Sequence, residues 1–207
     1  MFTGIVQGIA RLSNKVGSEK LTSFTFKFPS DALSGIKEGA SIALNGTCLT
    51  VTGFNLAENT ANFDAIEETL RLTNLGDIKL EQEVNFERAA KFGDEIGGHP
   101  MSGHIHSTVV VDNIIKTTEN CSFYFKMNTT IQPYLFNKGF VGLNGCSLTI
   151  GEVTDNTFNV HLIPETLKLT TFSELVIGSK VNLELDSQTQ AIVDSVERIL
   201  TLKAEQR

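Results

Sequence analysis

A heptapeptide is written twice in this chain. Asn45-Gly46-Thr47-Cys48-Leu49-Thr50-Val51 returns 99 residues later as Asn144-Gly145-Cys146-Ser147-Leu148-Thr149-Ile150. Its neighbours repeat in the same order. Ser23-Phe24-Thr25-Phe26-Lys27-Phe28 precedes the first copy, and Ser122-Phe123-Tyr124-Phe125-Lys126-Met127 precedes the second at the same offset. Downstream, Glu68-Thr69-Leu70-Arg71-Leu72-Thr73 answers to Glu165-Thr166-Leu167-Lys168-Leu169-Thr170. Val84-Asn85-Phe86-Glu87 answers to Val181-Asn182-Leu183-Glu184, both pairs at an offset of 97. One shared heptapeptide could be coincidence, but four segments in one order mean an internal duplication. The chain therefore holds two copies of one domain, and function has to be read from a pair of related sites. Halving its 207 residues gives domains of ordinary small size.

Composition narrows the partners. A 41% hydrophobic content suffices for two modest cores. The net charge of −7 argues against nucleic acid, whose phosphates demand clustered Lys and Arg. No apolar run approaches membrane-spanning length, and Met1-Phe2-Thr3-Gly4-Ile5-Val6 lacks a basic leader region. The three cysteines, Cys48, Cys121 and Cys146, read as free thiols, so a cytoplasmic location and no membrane contact are expected.

Local patterns predict mainly β structure. Phe2 to Leu12 reads as extended. Thr22 to Phe28 sets Phe24, Phe26 and Phe28 on one face with period two, a strand. Pro29 to Lys37 is turn-rich, and Ser41 to Thr52 reads as two short strands broken at Asn45-Gly46, a hairpin dipeptide. Thr60 to Ile66 is a further strand. Glu67 to Leu75 has helical character with Gly76 as its C-cap, and Glu83 to Ala90 is the last strand of the half. Gly97-Gly98 reads as a hinge before the second copy, in which Pro164 opens the short helix. Many short strands with frequent glycine imply a closed Greek-key barrel in each half. Ser187-Gln188-Thr189-Gln190 looks like a capping box, followed by Ile192, Val196, Ile199 and Leu200 at helical spacing. That final helix has no counterpart in the first copy. It either covers its own barrel or mediates self-association. The expected units are residues 1–98, 99–187 and 188–207.

The repeated strand carries the candidate chemistry. Alternation puts Cys48 and Thr50 on one face and Leu49 and Val51 on the other. Ser147 and Thr149 likewise oppose Leu148 and Ile150. With the apolar pair filling a barrel, the polar pair faces outward, where two hydrogen-bonding side chains suit a flat ligand with amide edges. The copies differ in reactive groups: Cys48 stands where Ser147 stands, and His104 stands where Ile5 stands. Cys48 is a potential nucleophile, although no activating base lies beside it in sequence. His99, His104 and His106 fit no metal-ligand spacing, and Cys-x-x-Cys is absent, so no metal is expected. There is no phosphate loop or dinucleotide fingerprint.

Taken together, these residues resemble the riboflavin synthase (alpha chain) family. The likeness runs from Met1-Phe2-Thr3-Gly4-Ile5-Val6-Gln7-Gly8 to Asp186-Ser187-Gln188-Thr189-Gln190. It includes Asn74-Leu75-Gly76-Asp77, Glu87-Arg88-Ala89-Ala90-Lys91-Phe92, Gly97-Gly98-His99, Ser102-Gly103-His104 and His161-Leu162-Ile163-Pro164-Glu165-Thr166-Leu167. The resemblance implies two tandem six-stranded Greek-key barrels, each binding one 6,7-dimethyl-8-ribityllumazine, plus a C-terminal helix. It implies transfer of a four-carbon unit between two such molecules without a cofactor. It also implies a homotrimer held partly by its C-terminal helices, with lumazine synthase as a candidate partner. The site is expected between the N-terminal barrel of one subunit and the C-terminal barrel of its neighbour. By the same resemblance Cys48, Ser41, His104, Ser147 and Asp186 are catalytic, with Asp186 the partner of Ser147. Substrate binding falls to Phe2, Gly4, Ile5, Val6, Cys48, Leu49, Thr50, Asp64, Ala65, Ile66, Glu67, Glu68 and Thr69. In the second half it falls to Gly103, His104, Ile105, Lys138, Ser147, Leu148, Thr149, His161, Leu162, Ile163, Pro164, Glu165 and Thr166. The other readings are a lumazine- or flavin-binding antenna protein of the same superfamily, in which one site is lost, and a structural trimerisation module. The two intact polar pairs favour the enzyme.

Overall fold

Strand alternation in each half is resolved by closure into a barrel, which leaves no unpaired edge. In a computed structural model that describes residues 1–205, the first half contributes β1 (Gly8–Gly17), β2 (Leu21–Lys27), β3 (Ser41–Leu44), β4 (Thr47–Asn55), β5 (Thr60–Ile66) and β6 (Glu83–Arg88). They close antiparallel in the order β1-β2-β5-β4-β3-β6. The second half contributes β7 (Ser107–Lys116), β8 (Cys121–Lys126), β9 (Phe140–Leu143), β10 (Cys146–Val153), β11 (Thr157–Leu162) and β12 (Lys180–Leu185). It closes in the equivalent order, β7-β8-β11-β10-β9-β12. Among the described residues there are three α-helices, α1 (Glu67–Leu72), α2 (Pro164–Leu169) and α3 (Ser187–Glu205), besides short 3₁₀ turns. Even the irregularities repeat. The β1/β2 ladder slips between Leu12 and Asn14, and the β7/β8 ladder slips between Val111 and Asn113, the kind of bulge that bends a sheet toward closure. The change of offset from 99 to 97 falls at the β10–β11 hairpin, where strand and loop are each one residue shorter than in β4–β5.

Phenylalanines fill the barrels. Phe24, Phe26, Phe28, Phe63 and Phe86 are buried in the first, with Phe28 and Phe86 edge to face at 5.1 Å. Phe123, Phe125, Phe158 and Phe172 do the same in the second.

The barrels meet at their Asn-Gly turns. Asn45 and Gly46 have φ of 46° and 80°, and Asn144 and Gly145 have 45° and 79°, so both turns carry two left-handed residues, as a two-residue type I′ hairpin requires. The turns touch: a Cβ on Gly46 would lie 2.7 Å from the Gly145 nitrogen. Buried asparagines stitch the contact with two-fold symmetry. The side-chain nitrogen of Asn85 donates to the Asn144 carbonyl and that of Asn182 to the Asn45 carbonyl, both at 2.9 Å. Their side-chain oxygens accept from the Thr171 and Asn74 amides. Buried amides have to be satisfied, so this interface has a defined register.

Several local expectations are corrected. Residues 2–6 do not belong to β1: they cross toward the second half, where Phe2 bridges Met101, and Gln7, whose amide donates to the Phe86 carbonyl at 2.9 Å, rejoins the first barrel. The helix from Glu67 stops at Leu72 rather than Leu75. Thr73 turns extended, its hydroxyl donates to the Thr69 carbonyl at 2.7 Å, and a separate 3₁₀ turn, Asn74–Gly76, follows. Gly76 is therefore inside that turn and not a C-cap. Of the expected hinge Gly97-Gly98, Gly97 is exposed but Gly98 is packed, since a Cβ on Gly98 would come within 2.2 Å of the Thr3 carbonyl oxygen. Helix α3 begins at Ser187, and its cap is Asp186, whose Oδ2 accepts from the Thr189 amide at 2.9 Å and hydroxyl at 2.7 Å. A carboxylate outcompetes a serine hydroxyl at the positive end of a helix.

Candidate active-site faces

On β4, Leu49 and Val51 are buried and Thr50 is exposed, with Cys48 half-buried beside it. On β10, Leu148 and Ile150 are buried, Thr149 is exposed and Ser147 half-buried. The outward polar pair thus exists in both barrels. Ser41 lies opposite Thr50 across β3–β4, and Phe140 lies opposite Thr149 across β9–β10. The register from Val51↔Phe63 carries Thr50 toward Asp64 and Cys48 toward Ile66 on β5. In the second barrel the register from Ile150↔Val160 carries Thr149 toward His161 and Ser147 toward Ile163. Asp64 accepts from the Ser23 hydroxyl at 2.6 Å, while His161 Nδ1 lies 2.7 Å from the equivalent Ser122 hydroxyl. Ile66 and Ile163, each about 60% exposed at the foot of α1 and α2, give each face an apolar patch on which a flat ring can rest.

The segment that opens each half completes the face of the other half. The Cys48 amide donates to the Gly103 carbonyl at 2.9 Å, and the Ser147 amide donates to the Gly4 carbonyl at 2.8 Å. Both glycines are left-handed, and a Cβ on either would sit 2.5 Å from the Cys48 or Ser147 Cβ. The backbone therefore carries His104 next to the strand of Cys48 in its own chain, and Ile5 next to that of Ser147. The first face therefore gathers Ser41, Cys48, Thr50, Asp64, Ile66 and His104. The second gathers Ile5, Ser147, Thr149, His161 and Ile163, with Lys138 exposed in the loop, its amide donating to the Ile150 carbonyl at 2.9 Å. Glu67, Glu68 and Thr69 open α1 beside the first face, and Pro164, Glu165 and Thr166 open α2 beside the second. Val6 is half-buried on the second barrel. The side chains of Phe2, Leu49, Ala65, Ile105, Leu148 and Leu162 are buried, so a ligand can reach these residues only through the main chain or after a shift of their neighbours.

Asp186 is not bonded to Ser147. Its carboxylate is taken by Thr189, and Ser147 Oγ instead lies 2.6 Å from His99 Nδ1. His99 is buried, stacks on Phe140 at 5.1 Å, and its Nε2 has no partner among the described residues. Burial pushes the His99 pKa down, against an upward pull from the Asp186 charge. Burial would raise Asp186, but the Thr189 bonds, the Gln188 amide and the His99 charge together hold the carboxyl below its usual range. Burial, and then the Glu87 charge, push the Cys146 thiol up to about 12, so it is not a nucleophile at neutral pH. Among the described residues no cluster of three or more His, Cys, Asp or Glu is placed to hold a metal ion.

Sequence reasoning passed over His99 and the buried pair Glu87 and Glu184. The repeat had signalled the pair: Val84-Asn85-Phe86-Glu87 and Val181-Asn182-Leu183-Glu184 keep Asn and Glu at the same places in both copies.

The lumazine binding domain model matches residues 3–89 and again 102–186. The chain is 50% identical over 204 residues to riboflavin synthase of Escherichia coli (strain K12), covering 98% of this chain and 95% of that protein. It is 37% identical over 186 residues to the Bacillus subtilis (strain 168) riboflavin synthase, covering 90% and 85%. A crystal structure of LumP complexed with riboflavin superposes with a TM-score of 0.82 at 27% identity, covering 90% of this chain and 100% of that one. Another, of LumP with 6,7-dimethyl-8-(1'-D-ribityl) lumazine, gives 0.81 at 24% and speaks to the fold.

Proposed function

This chain belongs to the riboflavin synthase family of tandem lumazine-binding domains, and from that membership we propose how its two faces carry the reaction. The activity is the dismutation of two 6,7-dimethyl-8-ribityllumazine molecules into riboflavin and 5-amino-6-(ribitylamino)uracil, a transferase reaction that ends riboflavin biosynthesis. The recurrence of one outward polar pair on β4 and β10 carries the assignment of two sites.

The chemistry asks little of a protein beyond placement. The C7 methyl of the lumazine is acidic because its anion delocalises into the ring. Methyl carbons of the acceptor form bonds to ring carbons of the donor, and the donor's carbon–nitrogen bonds break. The hydrogens lost from the acceptor's methyls reappear on nitrogens of the released pyrimidine, so the exchange is redox-neutral. Holding two rings face to face supplies much of the acceleration. The remainder is proton transfer and transient addition by side chains at the ring edge. In our reading Cys48, Ser41 and His104 serve the first face. Ser147 serves the second, and Asp186 acts there at a distance by capping α3 and through its field on His99. Lys138, exposed on the second face only, suits a carbonyl or ribityl oxygen of the ligand.

Two rings on one chain lie on separate barrels, so we take the working site to form between the first face of one subunit and the second face of another, in a trimer. The exposed apolar residues of α3 support that assembly. A cytoplasmic setting and a lumazine synthase that supplies the substrate complete the proposal.

The test is direct. Purified protein incubated with 6,7-dimethyl-8-ribityllumazine is expected to release riboflavin and the pyrimidine in equal amounts. Retention of unreacted, fluorescent lumazine would instead make the chain a lumazine-binding antenna.

A further inference from the structure

We infer that Glu87 and Glu184 are positioning residues wired crosswise, each standing in one barrel and holding in place the ligand face of the other. The inference rests on the two-face reading above. Glu87, on β6, is 4% exposed; its Oε1 accepts from the Thr3 amide at 2.6 Å and the Thr3 hydroxyl at 2.8 Å, and its Oε2 accepts from the Gly4 amide at 3.0 Å. Glu184, on β12, is 3% exposed and repeats the arrangement with the Ser102 amide at 2.6 Å, the Ser102 hydroxyl at 2.8 Å and the Gly103 amide at 3.2 Å.

Among the described residues neither carboxylate makes an ion pair with Lys, Arg or His, so these donors are the main offset to the cost of burying it, ahead of the more distant charges of the chain's N-terminus at Glu87 and of His106 at Glu184. The donors all belong to the two crossing segments. The hydroxyls relay the hold one residue further, since Thr3 Oγ1 accepts from the Ile5 amide at 3.3 Å and Ser102 Oγ from the His104 amide at 3.1 Å. The carbonyl of the clamped glycine then accepts the site strand: Gly4 takes Ser147 of the second barrel, and Gly103 takes Cys48 of the first. Glu87 therefore sets the position of Gly4 and Ile5 on the second face, and Glu184 that of Gly103 and His104 on the first. A clamp that served only its own barrel would need no donor from a segment lying on the other.

Amide hydrogen exchange at Cys48 and Ser147 reads each docking bond separately. In Glu184→Gln the Cys48 amide is expected to exchange about 10- to 100-fold faster, the loss of a hydrogen bond to a charged acceptor, with Ser147 unchanged. Glu87→Gln is expected to do the reverse. Ser102→Ala and Thr3→Val remove one donor from the same clamps and should show the same crossed pattern, more weakly, if the glutamine variants do not fold. Riboflavin titration, followed at the same two amides, should show affinity lost at the crossed face and kept at the carboxylate's own. Faster exchange at the carboxylate's own face, or equally at both, would overturn the wiring. Wild-type protein that binds riboflavin at neither amide would count against the two-face reading, while the exchange arms would still decide the wiring.

Discussion

Burial holds His99 neutral, and that has a measurable pH signature. Its folded-state pKa lies below the ordinary value near 6.5, so between those two values the unfolded chain binds a proton that the folded chain does not. Stability contributed by neutral His99 is complete above about 6.5 and is lost as pH falls through the window below it. The difference in unfolding free energy between wild type and His99→Gln should therefore be flat above pH 7 and should shrink on acidification, as read by denaturant midpoints across pH. A difference independent of pH would show that the imidazole is as easily protonated folded as unfolded. Nothing in the sequence announced this role. His99 and Ser147 are 48 residues apart, and grouping His99 with His104 and His106 by proximity suggested only a metal question. Cys48 and Thr50 were legible because strand alternation is local: which way a side chain faces follows from its buried neighbours on either side.

At the scale of elements, legibility again follows locality. Strand β5 was expected at Thr60 to Ile66, where the structure has it, and the Asn-Gly hairpins lie where the dipeptides put them. The path of residues 2–6 and 101–105 was not legible. An extended segment reads the same whether it pairs with its own barrel or with the next, and the carboxylates that bond these segments, Glu87 and Glu184, lie more than eighty residues further along the chain. The end of α1 was missed because a single threonine hydroxyl at residue 73 diverts the backbone. For α3 the helical period was clear but its partner was not. The helix touches its own barrel through Gln190 to His106 at 2.9 Å and Asp194 to Tyr134 at 2.5 Å, polar contacts both. Ile192, Val196, Ile199 and Leu200 remain 51–65% exposed. Each such side chain gains about 1.5–3 kcal/mol when fully buried, so a helix with four of them favours association. Removing the chain from Gln188 onward should lower the mass in sedimentation toward that of a single truncated chain, below the 22.6 kDa of the full one. An unchanged assembly would place the subunit contacts on the barrels.

At the scale of the whole molecule, the crossed segments decide which mutations can rescue one another. Each chain presents one face with Cys48 and His104 and another with Ser147. If a working site takes its first face from one subunit and its second face from the next, defects on different faces can be complemented in mixed trimers and defects on the same face cannot. Cys48→Ala and Ser147→Ala are one test pair. The intact first face of a Ser147→Ala chain can meet the intact second face of a Cys48→Ala chain, in about a quarter of contacts after random reassembly of equal amounts. His104→Gln with Ser147→Ala should behave alike. Cys48→Ala with His104→Gln should not, because every chain in that mixture has a damaged first face. Read as riboflavin formed per minute after dissociation and reassembly, with each variant alone folded and clearly slower than wild type, the first two mixtures should exceed the mean of their parents and the third should not. Rescue in none of the three would place both lumazines within one chain. Rescue by Cys48→Ala with His104→Gln would mean that Gly103 and His104 leave the Cys48 face in the assembled enzyme, so that the docking seen between the Cys48 amide and the Gly103 carbonyl is not the working arrangement.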